Sequence, residues 1–135
     1  MANITNLRSG IKTNLQTITG LRVADTIPDQ INPPIALVEL QTVDFDKAMH
    51  HGLTAYNFRV VVLVARQSER SGQNKLDAYV ASTGAASVKL AIESDRTLSG
   101  AAFDCFCQGV TSYGVTSVGE VNYLSAEFQI LVYAS

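Results

Sequence analysis

Charge is scarce in this sequence. Asp, Glu, Lys and Arg make up 16% of its 135 residues, where soluble domains ordinarily carry about 25%. The 10 Lys and Arg against 12 Asp and Glu leave a net charge of −2, and the pI is near 5.6. Nucleic-acid affinity comes mostly from neutralising phosphates with a basic excess, and this chain has none. Gripping DNA is therefore disfavoured, although letting DNA slide past is not. Long apolar runs are missing too. The strongest, Val60 to Ala65, is far short of the ~20 residues that span a bilayer. The start, Met1-Ala2-Asn3-Ile4-Thr5-Asn6-Leu7-Arg8, lacks the apolar stretch of a signal peptide. The expectation is a soluble protein made in the cytosol, with no membrane partner.

Cysteine is nearly absent. Cys105 and Cys107 are the two present. On a strand they would share a face with Cα atoms about 6.6 Å apart. That spacing is at the upper limit for a disulfide, so two free thiols are expected. A zinc site needs about four ligands, and the remaining soft donors are His50 and His51. Two small buried side chains are the simpler reading, with no metal and no cofactor.

What the chain does have is apolar surface: 47% of its residues are hydrophobic and the mean hydropathy is +0.14. The length fits one domain over residues 1–135, able to bury ~65–70% of the unfolded surface. So apolar a chain with so few charges implies that part of its surface faces another protein, which makes self-association the expectation.

Leu7, Ile11, Leu15 and Ile18 recur at helical spacing from Thr5 to Ile18, with Thr5 or Asn6 as cap and Gly20 as stop. Leu21 to Ile27 reads as a short strand, and Pro28, Pro33 and Pro34 punctuate the stretch after it. A second strand runs from Ile35 to Phe45, then a polar turn from Asp44 to Gly52. Tyr56 to Ala65 is the clearest strand. Tyr56, Phe58, Val60, Val62 and Val64 share one face, while the other starts polar at Asn57 and Arg59 and turns apolar at Val61 and Leu63. That pattern predicts a central strand whose second face is covered at its far end.

After the charged connector Arg66 to Gly72, helix character returns at Gln73 to Ala81, which Ser71 is placed to cap, and again at Ala86 to Glu93. Phe103 to Val110 leads into the five-residue step Gly109, Gly114, Gly119, whose glycines fit bulges or a bend, and Tyr123 to Tyr133 alternates to the end. The order α-β-β-β-α-α-β-β predicts a single α+β domain, a mainly antiparallel sheet with helices packed on one face.

Signs of catalysis are weak. The spacings Gly109 to Gly114 and Gly114 to Gly119 match a phosphate loop, but Val115 and Glu120 stand where its lysine belongs. Asp44, Asp46, His50 and His51 form the densest polar cluster, yet they fall in a tight connection between strong strands. Such loops are ordinarily solvated, and a contact loop to a partner fits better than a catalytic one. Arg66 to Arg70 with Lys75 and Asp77 mixes both signs, as a solvated helix entry does. There is no G-x-S-x-G elbow, and neither cysteine has a basic neighbour to make a thiolate. No enzyme activity is expected.

Ser68-Glu69-Arg70-Ser71-Gly72-Gln73-Asn74-Lys75-Leu76-Asp77-Ala78-Tyr79, then Ser87-Val88-Lys89-Leu90-Ala91-Ile92-Glu93, with Val23 to Pro34 near the front, resembles the tail terminator (tail-completion, neck) proteins of long-tailed phages, particularly those infecting actinobacteria. The resemblance covers about Leu7 to Val132 and lies in segment order and short strings such as S-G-Q-x-x-L-D-x-Y. It implies a single α+β domain that assembles as a ring, usually hexameric. Such a ring closes the head-proximal end of the tail tube, stops tube growth and meets the head connector, while DNA crosses its lumen. It carries no catalytic residues to transfer.

The expected function is thus a structural ring of the virion neck, assembled in the bacterial cytoplasm, with itself, the tail tube protein and the head-completion protein as partners. Asp44, Phe45, Asp46, Lys47, His50 and His51 are expected to form a projecting loop toward the lumen or the neighbouring tail ring. Arg59, Arg66, Glu69 and Arg70 are expected to make polar contacts between subunits, each worth little if exposed. The alternatives are the tail tube subunit or a head-completion adaptor of the same particle, or a small oligomeric ligand-binding module.

Overall fold

A computed structural model describes residues 4–18, 21–24, 34–45, 53–66, 72–81, 83–84, 86–98, 100–118 and 121–134. Its elements are α1 (Ile4–Leu15), β1 (Arg22–Ala24), β2 (Ile35–Asp44), β3 (Thr54–Arg66), α2 (Gly72–Val80), α3 (Val88–Glu93), β4 (Asp104–Val118) and β5 (Val121–Ala134). The strands form one five-stranded sheet in the order β1-β2-β3-β5-β4. All neighbours are antiparallel except β1 and β2, which run parallel. This is the expected α+β fold with the expected element order.

Period-two alternation makes β3 the centre. Tyr56, Phe58, Val60, Val62 and Val64 point into the main core, where they meet Ala126, Phe128, Ile130 and Val132 of β5. Leu7, Ile11 and Leu15 of α1, Leu76 and Tyr79 of α2, and Val88, Ala91 and Ile92 of α3 close the same core. The three helices therefore cover one sheet face, as a helical apolar stripe against a pleated apolar face requires. On the opposite face Ile35, Leu37, Val61, Leu63 and Tyr123 form a second, smaller cluster with no helix residue in it. The switch from polar to apolar along β3 marks where that cluster begins.

Several boundaries differ from the sequence reading. Helix α1 starts at Ile4, so Thr5 and Asn6 lie inside its first turn rather than capping it. It ends at Leu15, and Ile18 reaches the core from the turn beyond, where the Ile18 N–H donates to Leu15 O at 3.1 Å. Gly20 and Ser71 lie outside the described residues. Helix α3 is shorter than expected because Ser87 caps it. The Ser87 Oγ accepts from the Leu90 N–H at 3.3 Å and donates to Ala81 O at 2.6 Å. In β4 the register shifts between Cys107 and Gly109 and between Val110 and Ser112, while Gly114 sits in regular register opposite Ser125. One expected glycine bulge is present, and at Gly114 there is none.

Candidate functional site

The helix-free sheet face is organised around one guanidinium. Register sets Arg59 of β3 opposite Glu39 of β2 and Gln129 of β5, with Glu127 one step along the same face. Arg59 Nε donates to Glu39 Oε2 at 3.1 Å, Nη2 contacts the same oxygen, and Nη1 lies 3.7 Å from Glu127 Oε1. The hydrogen bond to Glu39 pushes the Arg59 pKa up; burial opposes it, and the charges of Glu39 and Glu127 add to it. Two carboxylates share one cation, so the group is net negative and offers phosphate no free positive charge. Around it polar groups satisfy one another. Asn57 Nδ2 donates to Thr42 Oγ1 at 2.8 Å and to Asp44 Oδ2 at 3.3 Å, and the Thr116 and Ser125 hydroxyls share a hydrogen bond of 2.5 Å.

Of the expected projecting loop, Asp44 closes β2 opposite Ala55, and Phe45 comes next with 73% of its surface exposed. Asp46, Lys47, His50 and His51 lie outside the described residues. At the same end of the sheet Phe103, 61% exposed, precedes β4, where its N–H donates to Tyr133 O at 2.8 Å. Two exposed phenylalanines thus flank the end of β3 and β5. In the sequence Phe103 reads as an ordinary strand start, since nothing local marks which strand will lie at a sheet edge.

Of the expected subunit contacts, Arg59 is engaged within the chain. The Arg66 backbone pairs with Tyr123 at the end of β3, and Glu69 and Arg70 lie outside the described residues. Glu39 and Glu127 are the partners the sequence left unassigned; the alternating pattern places them on a face, but not the strand order that brings both to Arg59. The Asp77 carboxylate, in the sequence part of a solvated helix entry, accepts from the Tyr113 hydroxyl at 2.5 Å and ties α2 to β4.

Neither cysteine is set up as a nucleophile. Cys105 and Cys107 are free thiols, both buried on the core face of β4. Burial, reinforced by the charge of Asp104, pushes the Cys105 pKa to about 12, and burial raises that of Cys107 as well. Among the described residues no group of three or more His, Cys, Asp or Glu is placed to hold a metal ion. Among the described residues, Phe45, Leu90, Phe103, Val110, Tyr113 and Val115 are the large apolar side chains left exposed. No protein-family model matches the chain, and no curated protein matches its sequence.

Proposed function

We propose that this chain is a structural, non-enzymatic ring protein of a long-tailed phage: the terminator that caps the head-proximal end of the tail tube. What carries the reading is the helix-free face of the sheet, built from Glu39, Arg59, Glu127 and their hydroxyl and amide neighbours. In the ring this face turns to the lumen. Beside its apolar cluster it is polar around Arg59, whose guanidinium is shared by two carboxylates and so offers passing DNA no free positive charge there. The helices then face outward, and the loop after Asp44 with exposed Phe45 meets the adjoining tail ring. Low total charge and strings such as S-G-Q-x-x-L-D-x-Y support the same reading.

A cyclic ring needs two different contact patches per subunit. Arg66, Glu69 and Arg70 supply polar contacts in one of them, and reversing Arg66 and Arg70 together should weaken ring assembly. The deciding experiment is cryo-electron microscopy of purified particles or tails. A single ring of this chain between the last tube ring and the head connector is the expected result. Stacked rings along the tail would make it the tube subunit, a place on the head side a completion adaptor, and absence from the particle would overturn the virion reading.

A further inference from the structure

Among the described residues one buried side-chain polar atom has no hydrogen-bond partner: Arg8 Nε. A buried N–H without an acceptor is uncommon in folded proteins, and on a guanidinium it points to an oxygen that the chain itself does not supply. Lys12 follows one turn later on the same helix, with its Cβ about 5–6 Å from that of Arg8. Both residues are half-buried. Gly10 and Asn14 face α3 and the turn after it. Arg8 and Lys12 each precede one of them by two residues, about 200° of helix, so they stand on the flank of α1 away from α3. Like charges at this spacing repel. No acidic residue answers them on α1, and the first in the sequence is Asp25.

We infer that Arg8 and Lys12 bind one phosphate-class oxyanion on the outer flank of α1. The Arg8 Nε–H and a neighbouring Nη–H donate side by side to two of its oxygens, the fork geometry that suits phosphate and carboxylate alike. The Lys12 ammonium supplies a second positive charge, and two cations match a phosphate dianion where a carboxylate needs one. Binding gives the buried N–H its acceptor and cancels the repulsion between the two cations. The ligand is a free phosphate or a small phosphate ester, since two cations are too few to track a nucleic-acid backbone. The site lies on the helix-covered side of the sheet, apart from the Arg59 group, and does not rest on the ring reading.

The test follows the arginine Nε–H signals of the full, nitrogen-15-labelled chain by NMR while inorganic phosphate is added at constant ionic strength. The Arg8 signal is identified by its loss in Arg8→Lys. The expected result is a saturable shift of that signal. Lys12→Gln, which keeps the length of the side chain's apolar stem and removes its charge, should weaken binding roughly tenfold, the effect of losing one charge-assisted hydrogen bond. Lys75→Gln, at an exposed position on α2, should leave binding unchanged. Backbone amide spectra of each variant that match the parent's show that the fold is intact. A shift that chloride reproduces is screening and overturns the site, as does one that never saturates or that survives Lys12→Gln. Acetate binding as tightly as phosphate overturns the phosphate assignment in favour of a carboxylate.

Discussion

Gly10 of α1 packs directly on Leu98: a Cβ built on the glycine would stand 2.6 Å from Leu98 Cβ and 3.2 Å from its carbonyl oxygen. Leu98 is buried at φ 51, a left-handed conformation rare for a branched apolar residue. Its N–H donates to Asp95 O at 3.2 Å and its carbonyl accepts from the Ala101 N–H at 3.2 Å. The turn after α3 is thereby fitted against the first helix, and α1 can approach it only because position 10 has no side chain.

Gly10→Ala should therefore destabilise the protein although alanine is the better helix former. The propensity gain is about 1 kcal/mol. Overpacking against Leu98 costs ~1–3 kcal/mol, and the backbone atoms in contact leave little room to yield. A net loss of up to roughly 2 kcal/mol is expected from urea unfolding midpoints. Ser9→Ala, one position away on the exposed side, should be neutral or slightly stabilising. Equal effects at both positions would remove the close approach as the cause.

One turn further along α1, Asn14 is buried, and its Nδ2 donates to Ile92 O and Asp95 O, each at 3.0 Å. Those carbonyls lie in the last turn of α3 and just beyond it, where intrahelical donors run out. Asn14→Leu should cost ~1–3 kcal/mol by removing both bonds, which leaves Asp95 O with the Leu98 N–H and Ile92 O with the weak Cys105 thiol donor. Asn14→Asp should cost at least as much, since a carboxylate cannot donate to either. A midpoint within experimental error of the parent's for Asn14→Leu would show that water takes over the bonds.

The sheet is largely legible in the sequence because period-two alternation over Tyr56–Val64 and Leu124–Val132 is a strong signal, and only one face of each strand could enter the core. The same alternation assigns Arg59 to its face. Its partners are not legible: Glu39 depends on the exact register of β2 against β3, and Glu127 on a strand order that places β5 between β3 and β4. Asn14 and Gly10 are invisible as well: a buried amide and a helical glycine make sense only against α3 and its turn, about 80 residues along the chain. Long-range registration, unlike local periodicity, leaves no mark on neighbouring residues.

The thiols provide a check on how tightly β4 sits against the helices. With Cys105 pushed to about 12 by burial, Asp104 adding to the effect, and Cys107 also raised by burial, neither forms appreciable thiolate at pH 8. A disulfide reagent should label neither in the native protein and both after denaturation. Rapid native labelling would mean that the edge of the sheet opens on the timescale of the reaction.

Glu93 gives the stability a pH dependence whose sign is fixed. Burial pushes its carboxyl up. Hydrogen bonds from Lys89 and from the Cys107 N–H, with the charges of Lys89 and Arg96, outweigh burial and hold the pKa below its ordinary 4.5. The Lys89 ammonium contacts both carboxylate oxygens, at 2.8 and 2.6 Å. A carboxyl with a depressed folded pKa stabilises the native state above its unfolded pKa, and that contribution is lost as pH falls through the folded value. Glu93→Gln should thus be less stable than the parent at pH 7, and the gap should close as pH falls below 4.5. Every other carboxylate titrates in both proteins, so the difference between the two unfolding curves isolates this one. A gap that stays constant from pH 7 to pH 3 would assign Glu93 a packing role in place of an electrostatic one.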